Sequence, residues 1–296
     1  MPWSLGEEPS TCVLDVGRTP CDIRLVETNG CVGRYTCLNH CWGGKQPLTT
    51  TKDNFQQHLA SISWDMIPKT FQEAIMFNWY LGIQDLWIDS MCAIYANTYV
   101  TIAASSALIS TQGLFIQETW DLLSLRICSS GSQHVEIFGR RAAPDHPRTQ
   151  MVPGEEGNED WPLFERGWVF QERLMSPRVV HFLRHEVAWE CGQSTLCQCT
   201  AIKPTRKSEY RQALMQSTPS AVAEEWRRLV QVYSCLELSF GSDKLPALSG
   251  LAKQMAKRRP GARYLAVVWS DSGNGPALNP MVPFGVSSRN RRGACD

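Results

Sequence analysis

The 296-residue sequence has no excess of charge of either sign, since 29 lysines and arginines face 29 aspartates and glutamates. That balance leaves no net field to draw in nucleic acid or an anionic membrane, and neither is expected as a partner. No run of about 18 apolar residues occurs, so no membrane segment is expected. The amino terminus, Met1-Pro2-Trp3-Ser4-Leu5-Gly6-Glu7-Glu8, lacks the basic and apolar regions of a signal peptide, which predicts a soluble, cytoplasmic protein. Internal repeats are absent. So are G-x-G-x-x-G, Walker A, H-E-x-x-H and G-x-S-x-G stretches, which removes the familiar cofactor and hydrolase routes.

Cysteine, in contrast, is plentiful: twelve are scattered along a large chain, and with no export signal they are expected to be reduced thiols. The closest groupings are Cys37 and Cys41 beside His40, and Cys191, Cys197 and Cys199 downstream of His181 and His185. Neither has a second pair at matching spacing, so no structural zinc and no other metal is expected. Eleven tryptophans are expected mainly in the core or at domain contacts.

The pattern of elements alternates. Asp22 to Val26 and Arg34 to Leu38 read as strands, the second running into the turn Trp42-Gly43-Gly44. A linker through Thr49, Thr50 and Thr51 precedes a short helix at 54–59. Pro68 stands where a first-turn proline would, and Phe71, Ala74, Ile75, Asn78 and Gly82 recur at helical spacing, predicting a helix over 69–81 ended by Gly82. Leu86 to Asp89 and Tyr99 to Ala104 read as two more strands, with only residues 90–98 between them. Parallel neighbours need a crossover of roughly a dozen or more residues, so this connection is short. Residues 139–160, with three prolines and many charges, predict a mobile loop. Further on come a helix over 166–174, a strand pair at 179–183 and 187–189, a helix over 221–236 capped by Ser220, and another over 245–257. The stretch after Trp269 lacks periodicity and is expected to be disordered. Helices alternating with strands favour an α/β fold with a parallel sheet.

Four segments in order resemble the fungal heterokaryon-incompatibility (HET) domain family. They are Tyr35-Thr36-Cys37-Leu38-Asn39-His40-Cys41-Trp42-Gly43; Ile67 to Ile75 with Leu86-Trp87-Ile88-Asp89-Ser90-Met91-Cys92; Ile94-Tyr95-Ala96-Asn97 through Ala104; and Arg166 to Arg178, containing Gly167-Trp168-Val169-Phe170-Gln171-Glu172-Arg173. Trp189-Glu190-Cys191, Tyr233-Ser234, residues 242–252 and 264–269 resemble the region that often follows HET. The resemblance implies a TIR-like or flavodoxin-like parallel sheet with flanking helices over 33–178, after an extension at 1–32. A mostly helical region would follow at 179–270, and then the tail at 271–296. Family members usually insert about twenty residues, including a helix with D-W-x-x-E, where Cys92 is here joined to Ile94 by Ala93 alone. That matches the short crossover and implies an internal gap. Asn39 stands where the family commonly has serine.

What the resemblance implies about activity is programmed cell death after fusion of incompatible hyphae. It implies self-association or contact with another incompatibility protein, and in intact relatives cleavage of NAD. The glutamate for that reaction would lie on the absent helix, so this chain is expected to be inactive. Ligands of open α/β sheets bind outside the carboxyl ends of the strands. The remaining ligand-binding candidates are therefore Asn39, His40, Trp42 and Ser90, and the carboxylate candidates are Asp89 and Glu172. Each has a structural reading beside it: a cap or buried acceptor for Asp89, a structural imidazole for His40, core packing for Trp42, and for Glu172 an ion pair with Arg166, Arg173 or Arg178. A non-enzymatic interaction module, or the degenerate product of a HET gene, is the alternative reading of the whole chain.

Overall fold

The computed structural model describes residues 12–28, 33–43, 48–88, 92–115, 123–128, 134–139, 161–184, 186–198, 206–216 and 218–271. The expected mobile loop, but for residue 139, and the expected tail after residue 271 lie outside them.

An eight-stranded sheet organises the chain. Its strands are β1 (Cys12–Asp15), β2 (Arg24–Glu27), β3 (Tyr35–Asn39), β4 (Asp85–Ile88), β5 (Val100–Ala103), β8 (Arg178–Phe182), β9 (Val187–Cys191) and β10 (Thr195–Cys197), in the order β10-β9-β8-β5-β3-β4-β1-β2. A separate hairpin pairs β6 (Leu123–Cys128) with β7 (His134–Gly139). The four central strands β8, β5, β3 and β4 run parallel, whereas both edges are antiparallel hairpins. The sheet is therefore mixed rather than parallel throughout. The first 32 residues contribute to it: β1, which carries no strong strand signal in the sequence, pairs with β4 and with β2.

Alternation along β3 settles what lies on each face. Thr36 and Leu38 point to helix α2 (Lys69–Leu81), whose Phe71, Ala74 and Ile75 pack with Leu38, Leu86, Val100 and Ile102 in the main core. The Thr36 hydroxyl donates to Asn78 Oδ1 across this interface at 2.7 Å, which satisfies two buried polar groups. Tyr35 and Cys37 point the other way, to Ile94 and Tyr95 of helix α3 (Cys92–Asn97), with Trp87 beside them. Helix α2 starts one residue later than the proline rule suggests, with Pro68 at the N-cap position, and ends at Gly82 in the left-handed region (φ 67°).

The connection between β4 and β5 spans eleven residues, 89–99, close to the dozen or so that parallel strands need, because β4 ends at Ile88 and β5 starts at Val100. The two strands are not neighbours, because β3 lies between them, and the six-residue α3 makes the crossover. That one and a half turns still cover Cys37, since Tyr95 is fully buried and its hydroxyl reaches the Leu38 carbonyl oxygen.

Helix α4 (Gly167–Met175) lies on the α3 side of the sheet and joins a second core. Its Leu174 and Met175 pack with Tyr210 of α5 (Arg206–Gln216), Trp226 and Leu229 of α6 (Pro219–Tyr233), and Leu251 of α7 (Pro246–Ala256). A two-residue hairpin, β11 (Tyr264–Leu265) and β12 (Val268–Trp269), closes it by burying Trp269. The cap of α6 is Thr218 rather than Ser220, because the helix begins two residues before the expected start and its Pro219 takes the first helical position. Six cysteines, Cys12, Cys21, Cys37, Cys41, Cys191 and Cys235, are free thiols, but Cys197 is disulfide-bonded, against the expectation of reduced thiols throughout.

Candidate functional site

The carboxyl ends of β3 and β4 converge on one edge of the sheet. Asn39 ends β3, His40 and Trp42 follow it, and Ile88 ends β4. Beside them opens a cavity of about 700 Å³, within the size range of small-molecule sites. Its walls are Trp42, Phe71 and Ile67 on the helix side and Leu14, Leu86 and Ile88 on the sheet. The rim is polar: Thr49, Thr50, Thr51 and Lys52, with His58 behind. The Thr50 hydroxyl is 2.8 Å from His58 Nδ1, and Thr51 N–H donates to Asn54 Oδ1 at 2.7 Å, so the rim is tied to helix α1 (Phe55–Ala60). An apolar slot lined by two tryptophans, Trp42 and Trp87, with three hydroxyls and one ammonium suits a ligand with a flat ring and an anionic group. Among the described residues, no carboxylate lines it.

Trp42 also borders a second cavity, of about 40 Å³, lined by Asn39, His40, Tyr95, Arg166, Trp168 and Glu172 among others. The His40 ring meets Trp42 edge-on at 4.4 Å and Phe71 at 4.8 Å between centroids. Burial, aided by the Arg166 guanidinium, pushes its imidazole down to about pKa 3, so the ring stays neutral at physiological pH. Among the described residues, His40 Nε2 is buried without a hydrogen-bond partner, an arrangement that costs free energy unless water or a ligand atom fills the space. A neutral imidazole of this kind can exchange a hydrogen bond, but it is too weakly basic to take up a proton near neutral pH.

Four of the six expected site residues, Asn39, His40, Trp42 and Glu172, thus surround one small cavity. Asp89 and Ser90 lie outside the described residues. Glu172 is buried on α4, which also carries the side chain of Arg173 to Glu190 of β9 in a two-pronged bond of 2.7 and 2.8 Å. Arg178 donates to the Tyr99 carbonyl oxygen and Arg166 reaches the His40 carbonyl oxygen, at 2.8 and 3.5 Å. The Thr49-Thr50-Thr51-Lys52 rim reads in the sequence only as a linker. Its signal was three hydroxyls and a lysine just ahead of a helix that follows a β-strand and its turn.

A second polar cluster lies under β8 and β9. Ser105 Oγ is 3.2 Å from His181 Nδ1, and His181 Nε2 is 3.2 Å from Glu190 Oε2. The order of groups resembles a nucleophilic triad. All three are buried, however, and Ser105 has no exposed surface for a substrate to reach, so the cluster ties strands and helices together. Among the described residues, no group of three or more histidines, cysteines or carboxylates is placed to hold a metal ion, and no helix is long and apolar enough to cross a membrane.

Comparison with known proteins adds one match. The family model described as "Heterokaryon incompatibility protein (HET)" covers residues 35–94, from the start of β3 to the first turn of α3. Residues 35–94 are therefore similar to the heterokaryon-incompatibility family. No curated protein and no solved structure matches the chain.

Proposed function

We propose that this chain acts in heterokaryon incompatibility as a ligand-binding effector. It takes NAD or a related nucleotide into the 700 Å³ cavity at the carboxyl edge of β3 and β4 and signals by associating with itself or with another incompatibility protein. The observation that carries this reading is the cavity itself: most of its lining, from Trp42 to Ile88, falls within the 35–94 family segment. In the bound state the nicotinamide or adenine ring would lie against Trp42, and the phosphates would take Lys52 and the threonine hydroxyls. Binding without cleavage is the better-supported activity, because an oxocarbenium-like transition state needs a carboxylate beside the sugar and the described lining has none. Asp89, the residue after Ile88, is the one place where the sequence would add it.

The test is calorimetric titration of the purified chain with NAD, alongside chromatography for released nicotinamide. Saturable binding that Trp42→Ala weakens at least tenfold, with NAD left intact, is the expected result. Nicotinamide release abolished by Asp89→Asn would move the reading to a NAD glycohydrolase. A chain that oligomerises but ignores nucleotides altogether would leave only an interaction module.

A further inference from the structure

The opposite, amino-terminal edge of the sheet carries a groove of its own. It encloses about 670 Å³ and is bordered by Gly17, Arg18, Arg34, Trp79, Leu81, Gly82, Ile83, Gln84, Asp85 and Tyr99, of which the argument turns on Arg18, Arg34 and Asp85. These three charges are not paired with one another: neither guanidinium lies within 4 Å of a carboxylate of the described residues, and Asp85 makes no ion pair there either. Opposite charges lining one groove yet held apart leave room for a ligand between them.

The groove is also built rather than incidental. Gly17, at φ 53°, turns the chain after β1, and an added Cβ there would lie 2.3 Å from that of Asp22. The Asp22 carboxylate accepts from both the N–H and the hydroxyl of Thr19, at 3.1 and 2.8 Å, which fixes the turn that carries Arg18. Arg34 stands just before β3 with its guanidinium 5.5 Å from the Tyr99 ring centre, and Arg178 approaches the same ring at 5.1 Å. Such stacking limits the rotamers of Arg34 and leaves its N–H edge free to donate. Trp79 is anchored by its indole N–H to the Val16 carbonyl oxygen, at 2.9 Å. Asp85 is half-buried at the start of β4, and burial together with the facing Asp15 raises its pKa.

We propose that this groove is a second binding site, for a small zwitterion of the amino-acid or amino-phosphate type. Its oxyanion end sits between Arg18 and Arg34, and its ammonium end donates to Asp85. A bare anion fits less well, because it gains the two guanidiniums but faces the Asp85 carboxylate unpaired. This site is independent of the nucleotide cavity, which lies at the other end of the strands, so failure of either reading leaves the other standing.

The test uses three probes on the purified full chain by calorimetric titration at low salt: O-phosphoethanolamine, inorganic phosphate and ethanolamine. O-phosphoethanolamine is expected to bind more tightly than either fragment. Arg34→Gln should weaken it roughly ten- to a hundredfold, the usual loss for a charge-assisted contact. Asp85→Asn should abolish the preference over inorganic phosphate while leaving phosphate binding intact or stronger. Arg18→Gln, at an exposed turn, serves as a second variant should Arg34→Gln fold poorly, and circular dichroism confirms the fold of each. Equal binding of phosphoethanolamine and phosphate to the unaltered chain, or a lack of saturable binding by any probe, would overturn the proposal.

Discussion

Lys207 offers the sharpest test of the energetics. Its side chain has no exposed surface and its Nζ has no hydrogen-bond partner among the described residues. Burial lowers its pKa from 10.5 to about 7; Glu190 and the Cys191 thiol pull it back up, while Arg173 and Arg211 push it further down. His181, close to the same carboxylate, is kept neutral near pH 7 by its own burial. The sign follows from the proton count. Below pH 7 both folded and unfolded chains hold the proton, and the folded state bears the full cost of a buried ammonium. Between about pH 7 and 10.5 only the unfolded chain holds it, so stability rises with pH by up to about 1.4 kcal/mol per unit. From pH 7 to pH 9 the gain is about 2 kcal/mol. Lys207→Met keeps the stem and removes the amine, so it removes this rise. Urea unfolding of both proteins at pH 7, 8 and 9 in reducing buffer gives the difference curve, in which other titrations cancel. The variant should be the more stable at pH 7, and the gap should close by about 2 kcal/mol at pH 9. Parallel curves would refute the reasoning, for they would mean that the amine keeps its proton inside the fold.

Two further substitutions probe neighbouring parts of the molecule. Glu190→Gln removes the carboxylate that takes the part-buried Arg173 guanidinium in a two-pronged bond and should cost about 2–4 kcal/mol in urea unfolding. The Glu190 carboxyl is held well below its usual range, with Arg173 and the His181 bond overcoming the opposing effect of burial, so its contribution is present above about pH 4.5 and fades as pH falls below that; an acid titration followed by circular dichroism should show the unaltered chain losing stability faster than the variant. Gly43→Ala forces a side chain into the left-handed region (φ 66°) and puts its Cβ 2.0 Å from Ile109 Cγ2, so it should cost about 1–3 kcal/mol or more and lower the thermal midpoint.

The sequence was most legible where a single local rule decided the outcome. Helix α2 falls on the predicted 69–81 because its apolar spacing and Gly82 agree, and no tertiary contact has to override either. Asn39, His40 and Trp42 could be placed together from the sequence because they stand at or just past one strand end, whereas their nearness to Glu172 depends on the packing of α4 against the sheet. What was not legible depends on partners distant in sequence. Cys12 to Asp15 has neither length nor strict alternation, and becomes a strand because Leu14 and Asp15 find Leu86 and Asp85 some seventy residues on. The β8–β9 pair was legible because only a short turn separates its strands, whereas the antiparallel β1 edge was not: alternation reports which face a residue takes, not the direction of the strand beside it. Lys207 lies on α5, a helix without an apolar face of its own, and the meeting of α5 with β9 buries it.

The β4 to β5 crossover bears on function through the same geometry. Between Ile88 and Val100 the chain has eleven residues, close to the dozen or so that a parallel crossover needs, in which to pass over β3, about 10 Å from β4 to β5, and return along it. Six helical residues suffice to do so, and they place Ile94 and Tyr95 over Cys37. The ligand cavity lies on the other face, where α2 and the Thr49 to Lys52 rim build it without help from this connection. The cavity wall therefore stands independently of this connection. Binding in a cavity whose described lining holds no carboxylate can stand without bond cleavage, which is why binding and hydrolysis have to be measured as two quantities on the same protein.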